Sequence, residues 1–425
     1  MSKSKIIING KKPLYGHVNI AGMKNAALPI LYATVLVKGT SRLENLPDTE
    51  DIRITLTILE SLGADIKIIT PECVEICTDG IKDINLSTDL ARKLRASYYL
   101  LGAGLARFGS ASVGYPGGCE IGSNVRPIDQ HIAAFESLGA SVKVEGGKII
   151  ASSPEGLSPT VFSFKIVTVG ATINLMLASV FTEGLTVIEG AAREPHIIDL
   201  ANFLNNCGAS ITGAGTDVIK IRGVNALSSS TYEIAPDMIE AGTYMAAAAA
   251  AGGCVEVRNV IPTHLEDVIA VLRDMGVTVD VYDDSVKVTR DPDSPLSPTL
   301  VRTAPYPGFP TDMQPQICAV MCLANGISFI NESVWNNRFV YVNELLRMGA
   351  RISVNSNSAM IEGGYALSGA EVKATDLRGG AAVVIAALSA EGESTVTEIG
   401  HIERGYDNIA AKLASLGADI KRISE

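Results

Sequence analysis

No pair of cysteines in this chain has Cys-x-x-Cys spacing, and the seven present, at 73, 77, 119, 207, 254, 318 and 322, form no framework. An odd, scattered set is expected to stay reduced, which argues against a disulfide-stapled fold and for a cytoplasmic location. The five histidines, at 17, 131, 196, 264 and 401, lack zinc spacing, so no structural metal is expected. No uninterrupted apolar run is long enough to span a bilayer. The longest alanine-rich piece, Ala246–Ala251, reads as a helix segment buried at a close helix contact, and no membrane insertion is expected. Met1–Ile7 run straight into a strand pattern with no apolar h-region, so no secretory signal is expected. Acidic residues outnumber basic ones, 46 to 35, for a net charge of −11. That argues against nucleic acid as a partner, although a few converging cations could still hold a small anion. Walker A and Gly-x-Ser-x-Gly motifs are absent, as is a Rossmann glycine fingerprint in the right context. Gly213-Ala214-Gly215 falls in a strand turn.

What is present is a repeat. Leu/Met/Cys-Gly-Ala/Val occurs with its glycine at 63, 139, 208, 276, 349 and 417, spacings of 68 to 76 residues. Each glycine follows an amphipathic stripe, such as Leu265, Val268, Ile269, Leu272 and Met275, or Ile409, Leu413 and Leu416. Glycine suits the left-handed position at a helix C-terminus. Alternating runs follow, for example Val277–Val281, then Ser285–Val288 beyond a turn at Asp283-Asp284. The reading is an α/β protein of six repeated helix/strand units. The plainer alternative is two or three ordinary α/β domains sharing one helix-Gly-strand idiom. The chain's 425 residues, 47% apolar and 19% charged, are enough for two or three domains with substantial cores.

Chemistry is to be sought where the repeat breaks. In Ala21–Pro29, Lys24 and Asn25 stand between a strand end and an apolar helix; helix N-termini favour anions and a lysine adds charge, while a solvated Lys and an N-capping Asn are the bland reading. In Tyr115–Asp129, Pro116-Gly117-Gly118 and Ile121-Gly122 flank Cys119, a loop thiol that Arg126 would keep ionised, or an incidental one. In Thr303–Gln314, three prolines lead to Asp312 at a helix start, either an N-cap or a general base towards a hydroxyl. Arg95, Arg338, Arg378 and Arg404 each lie near a loop-to-helix junction. Singly each reads as a surface ion pair; together they could face one anionic ligand.

Over essentially its whole length the chain resembles the enolpyruvyl transferases. The matching stretches are Lys24–Pro29, Pro116–Cys119, Arg126–Asp129, Val169–Thr172, Ala192–Pro195, Phe309–Gln314, Asn337–Phe339, Ala374–Arg378 and Arg404–Tyr406. The resemblance implies a two-lobed, inside-out α/β barrel with three repeats per lobe about a pseudo-threefold axis. One lobe would run over 22–234, the other would join 1–21 to 235–425, and the active site would lie in the cleft between them.

It further implies transfer of the enolpyruvyl group of phosphoenolpyruvate to the 3′-hydroxyl of UDP-N-acetylglucosamine, with phosphate released by addition and elimination, as the committing step of peptidoglycan synthesis. No cofactor is implied. Cys119 matches the family's acid, which can also carry a pyruvyl thioether and is alkylated by fosfomycin. Asp312 matches the base. Lys24, Arg126 and Arg404 match the phosphoenolpyruvate binders, with Arg338 and Arg378 close by and Asp376 among the catalytic group. Asn25, Arg95, Arg126, Pro127, Ile128, Asp129, Gln130, Thr168, Val169, Gly170, Asp312 and Val334 match positions that hold the nucleotide sugar. The chain departs from the pattern in a loop two residues longer near Asn124-Val125, and at His196, Met238 and Ile166. A different nucleotide acceptor, or a silent paralogue that binds UDP-sugar, stays open as an alternative.

Overall fold

The computed structural model describes residues 4–115, 117 and 128–424. They group into two compact units. One, called here the Lys24 unit, holds the described residues of Gly22–Gly118 and Val125–Ala235. The other, the Asp312 unit, holds those of Met1–Ala21 and Pro236–Glu425.

Within each unit the same sheet appears three times. Four strands lie side by side; the first pair is parallel and the next two pairs are antiparallel. Val161–Ser163 runs parallel to Leu185–Glu189, which pairs antiparallel with Val218–Arg222, and that strand with Ser210–Thr212. Leu300–Arg302, Ile327–Asn331, Ser358–Glu362 and Arg351–Asn355 repeat the pattern in the Asp312 unit. Alternating side chains give each sheet one buried face, as in Leu185–Glu189, where Thr186 and Ile188 point inward.

Those faces close over helices that are apolar all round. In the Asp312 unit, Ile239 to Ala251, Gln314 to Met321 and Arg378 to Ser389 are buried without a gap, and the three helices pack on one another. Small residues, above all Ala246–Ala251, let the backbones approach. In the Lys24 unit the helices Lys24–Ala33, Tyr99–Phe108 and Val169–Ser179 take this place. Helices lie inside and open sheets outside, so the arrangement is α/β, and no sheet among the described residues closes on itself.

The amphipathic helices form a second set: Glu50–Leu62, Asp129–Ser137, Pro195–Asn206, Glu266–Asp274, Val342–Arg347 and Ile409–Ser415. Each ends at its marker glycine, and all six glycines have positive φ, from 89° to 111°. At Gly139, Gly208 and Gly276 an added Cβ would meet nothing within 4 Å. Conformation rather than space demands glycine there.

Candidate active site

Asp312 lies in a 3-10 turn, Thr311–Met313, that leads into the buried helix Gln314–Met321. It does not cap that turn: Pro310 holds the N-cap position and makes no side-chain cap. The carboxylate has a guanidinium on each oxygen instead. Oδ1 accepts from Arg338 Nη2 at 3.3 Å, and Oδ2 accepts from Arg378 Nη2 at 3.0 Å and Nε at 3.2 Å. Both arginine side chains are almost wholly buried, at 2% and 4% exposure, whereas Asp312 keeps 30%. At 30% exposure the Asp312 carboxylate is within reach of a hydroxyl, and a carboxylate is the kind of group that can take its proton. Arg338 Nε and Arg378 Nη1 are buried without a hydrogen-bond partner, leaving N–H capacity for an anion. Burial opposes the charge on Arg378 most strongly of any single influence, but Asp312, Tyr406 and Asp237 together outweigh it and hold the guanidinium's pKa above its usual value.

The surroundings fix this trio. Asp376 caps the helix Leu377–Ser389, its Oδ1 accepting from the backbone N–H of Arg378 (3.0 Å) and Gly379 (3.1 Å). It thereby seats Arg378 on the first turn. Glu332, which the sequence did not single out, is 3% exposed. It accepts from Thr311 Oγ1 on one oxygen and from the backbone N–H of Val334 and Trp335 on the other, tying Val334 to the Asp312 turn. Arg404 follows the short helix Gly400–Glu403, two residues before the buried Tyr406.

In the Lys24 unit, Lys24 opens its helix in a buried position and pairs with Asp51 Oδ2 at 3.0 Å. Asn25 sits half-buried on the first turn, and Met23, not Asn25, is the N-cap residue. A second cluster gathers at the start of the helix Val169–Ser179. Arg95 lies 5.3 Å over the Tyr98 ring, and Tyr98 meets His131 edge-on at 4.8 Å. Asn174 fixes the orientation of the whole group. Its Oδ1 accepts from Gly102 N–H, so its Nδ2 donates to Tyr98 O and to His131 Nδ1. The His131 proton therefore resides on Nε2. Burial, helped by the Arg95 charge, holds this imidazole's pKa down to about 3, so it is neutral. Gly170 must be glycine, because a Cβ there would sit 2.5 Å from the Tyr98 hydroxyl. Thr168 provides no side-chain cap, which leaves the first-turn N–H groups of Val169 and Gly170 to an outside acceptor. Ile128 is buried beneath, Asp129 is exposed and Gln130 half-buried at the start of the helix Asp129–Ser137.

Cys119, Arg126 and Pro127 lie outside the described residues, as does the lengthened stretch at Asn124-Val125. Of the other departures, Met238 opens the helix Met238–Ala251 and packs half-buried on the core. His196 lies in the helix Pro195–Asn206, and Ile166 is 71% exposed. Asp51, Asn174 and Glu332 had no motif to announce them. For Asn174 the sequence signal was a polar side chain in an apolar stretch; Asp51 and Glu332 sit among other polar residues and gave none.

Residues 8–413 match the family described as EPSP synthase (3-phosphoshikimate 1-carboxyvinyltransferase). The chain is 51% identical over 421 residues to UDP-N-acetylglucosamine 1-carboxyvinyltransferase 3 of Caldanaerobacter subterraneus subsp. tengcongensis, covering 99% of this chain and 100% of the relative. The chain belongs to the carboxyvinyltransferases. It is likewise 50% identical over 419 residues to UDP-N-acetylglucosamine 1-carboxyvinyltransferase 2 of Clostridium acetobutylicum, covering 98% and 99% of the two chains. Among solved structures of this fold, the enolpyruvyl transferase NikO from Streptomyces tendae superposes with a TM-score of 0.87 at 25% identity over the full length of both chains. EPSP synthase from Acinetobacter baumannii gives 0.74 at 17% identity over 99% and 100%, a likeness of fold alone. Among the described residues, no helix is long and apolar enough to cross a membrane.

Proposed function

We propose that this chain transfers the enolpyruvyl group of phosphoenolpyruvate to the 3′-hydroxyl of UDP-N-acetylglucosamine and releases phosphate, the step that commits the nucleotide sugar to peptidoglycan in the cytoplasm. The observation that carries this reading is the Asp312 carboxylate gripped on both oxygens by buried arginines that still have N–H groups to offer.

The reaction needs a proton acceptor for the sugar hydroxyl, and Asp312 fills that role. As the hydroxyl gives up its proton, its oxygen bonds to the central carbon of phosphoenolpyruvate. The methylene carbon takes a proton from Cys119, giving a tetrahedral ketal. Phosphate then leaves with the electrons of its carbon–oxygen bond, and loss of a proton from the methyl carbon restores the double bond. Charge on the phosphate and carboxylate is matched by Lys24, Arg126, Arg338, Arg378 and Arg404, arginine offering paired donors suited to such anions. Asn25, Arg95, Ile128 to Gln130, Thr168 to Gly170 and Val334 hold the nucleotide sugar. The uncapped helix start at Thr168 suits a diphosphate. Asp376 acts at least by seating Arg378 on the first turn of its helix.

The test is phosphate release from phosphoenolpyruvate with and without UDP-N-acetylglucosamine. Release that requires the sugar supports the reading. Binding of the sugar without release would point to a silent paralogue, and failure of both to a different acceptor.

A further inference from the structure

The three buried helices of the Asp312 unit are lined with alanine, valine and isoleucine, yet three polar side chains meet among them. Thr243 stands on Met238–Ala251, Gln316 on Gln314–Met321, and Tyr406 follows Gly400–Glu403; all are at most 2% exposed. Their hydrogen bonds can be assigned in direction. Thr243 Oγ1 donates to Ile239 O at 2.7 Å, so towards its neighbours it only accepts. The Tyr406 hydroxyl therefore donates to Thr243 Oγ1 at 2.9 Å. Gln316 Nε2 donates to both oxygens at 3.2 Å. The Tyr406 proton is thus committed to Thr243, and its ring is fixed against Arg378, whose guanidinium carbon lies 5.4 Å from the ring centroid.

Burying three polar groups in such a core is costly, and here the cost is not fully recovered, since Gln316 Oε1 has no partner. A purely structural core would use apolar side chains of the same size. Two edges of the Arg378 guanidinium behave differently: Nε and Nη2 go to Asp312, while Nη1 is buried and unpartnered. Asp312 fixes the Nε/Nη2 edge, and Tyr406, which meets Arg378 through its ring and through a side-chain hydrogen bond, supports the plane from the other side. Burial keeps the Tyr406 hydroxyl above its usual pKa, so it stays a neutral donor.

We propose that Tyr406, clamped by Thr243 and Gln316, is a positioning residue that sets the plane of Arg378, so that one edge holds Asp312 and Nη1 stays open for the anionic substrate. This rests on the transferase reading above.

The experiment uses the full chain and compares Tyr406→Phe, Thr243→Val and Thr243→Ser with the unaltered protein. Phosphate release is followed against each substrate in turn. Tyr406→Phe is expected to lower kcat/KM for phosphoenolpyruvate about tenfold, the weight of one hydrogen bond, with KM for UDP-N-acetylglucosamine unchanged. Thr243→Val moves the same way and Thr243→Ser returns to normal. Unaltered kinetic constants in Tyr406→Phe, or equal losses on both substrates with a lowered Tm, would overturn the proposal. If the unaltered protein releases no phosphate, the transferase reading has failed, and the clamp is judged instead from the Arg378 Nε–H resonance, assigned with Arg378→Lys. Hydrogen exchange there should quicken about tenfold in Tyr406→Phe; an unchanged rate overturns the clamp.

Discussion

The Lys24 unit and the Asp312 unit share one scaffold and differ in the polar residues admitted to its core. Among the described residues, each has three buried helices, three four-stranded sheets of one pattern and three outer helices ending in a left-handed glycine. The Asp312 unit concentrates charge, with one carboxylate between two buried guanidiniums and a Tyr406–Thr243–Gln316 ring behind them. Among the described residues, the Lys24 unit has the buried Lys24–Asp51 pair, the buried Asp199 carboxylate accepting from Tyr232 and the Ala235 N–H, and a network of Asn174, His131 and Tyr98 beside Arg95. The difference shows that the repeat supplies a rigid frame, and that a handful of substitutions at helix starts supplies distinct chemistry in each copy.

The largest expected effect separates the units by activity. Asp312→Asn keeps hydrogen-bonding shape but cannot take a proton, so kcat should fall by about 10²- to 10⁴-fold. Phosphate release measures it, and a loss below threefold would remove Asp312 from the base role. Next comes stability. Asp51→Ala leaves Lys24 buried without its carboxylate, which should cost about 3 to 5 kcal/mol in denaturant unfolding; a cost under 1 kcal/mol would mean the lysine finds water or another partner. Smaller, and expected to be equal in both units, is the effect of the marker glycines. Gly139→Ala and Gly276→Ala should each cost about 1 to 2 kcal/mol from the left-handed backbone alone. Unequal costs would break the claim of a common frame.

The smallest effect is in pH, and the units should oppose each other. His131 has a folded pKa near 3 against an ordinary 6.5, so the unfolded chain binds the proton first and stability is lost as pH falls below 6.5. Glu240, buried beside Lys412, is pushed up to about 7 by burial against an ordinary 4.5. The folded state then binds the proton first, and this contribution is lost as pH rises from 4.5 through 7. The midpoint at pH 7.5 minus the midpoint at pH 5.5 should therefore be lower in His131→Gln than in the unaltered protein, and higher in Glu240→Gln. Identical pH slopes in all three would contradict the burial of these groups.

The frame was legible in the sequence because its rules are local. A glycine that must be left-handed, a stripe three or four residues apart and an alternating run each declare themselves within a dozen residues. Asp312, Arg338 and Arg378 were legible as candidates at loop-to-helix junctions, but whether Asp312 capped its helix or faced a ligand was not, since that depends on two arginines 26 and 66 residues away. Asp51 was hidden for the same reason, 27 residues beyond Lys24. Thr243, Gln316 and Asn174 look in sequence like minor polar interruptions of apolar helices. Only packing shows that each completes a hydrogen-bond set with partners far along the chain.

The central claim is most directly tested by the product itself. The chain is incubated with phosphoenolpyruvate and UDP-N-acetylglucosamine, and the nucleotide sugar is recovered for mass and for NMR assignment of the substituted oxygen. The account predicts one added enolpyruvyl group, ether-linked at the 3′-oxygen and absent with Asp312→Asn. Recovery of unmodified nucleotide sugar, or substitution at another oxygen, would contradict it.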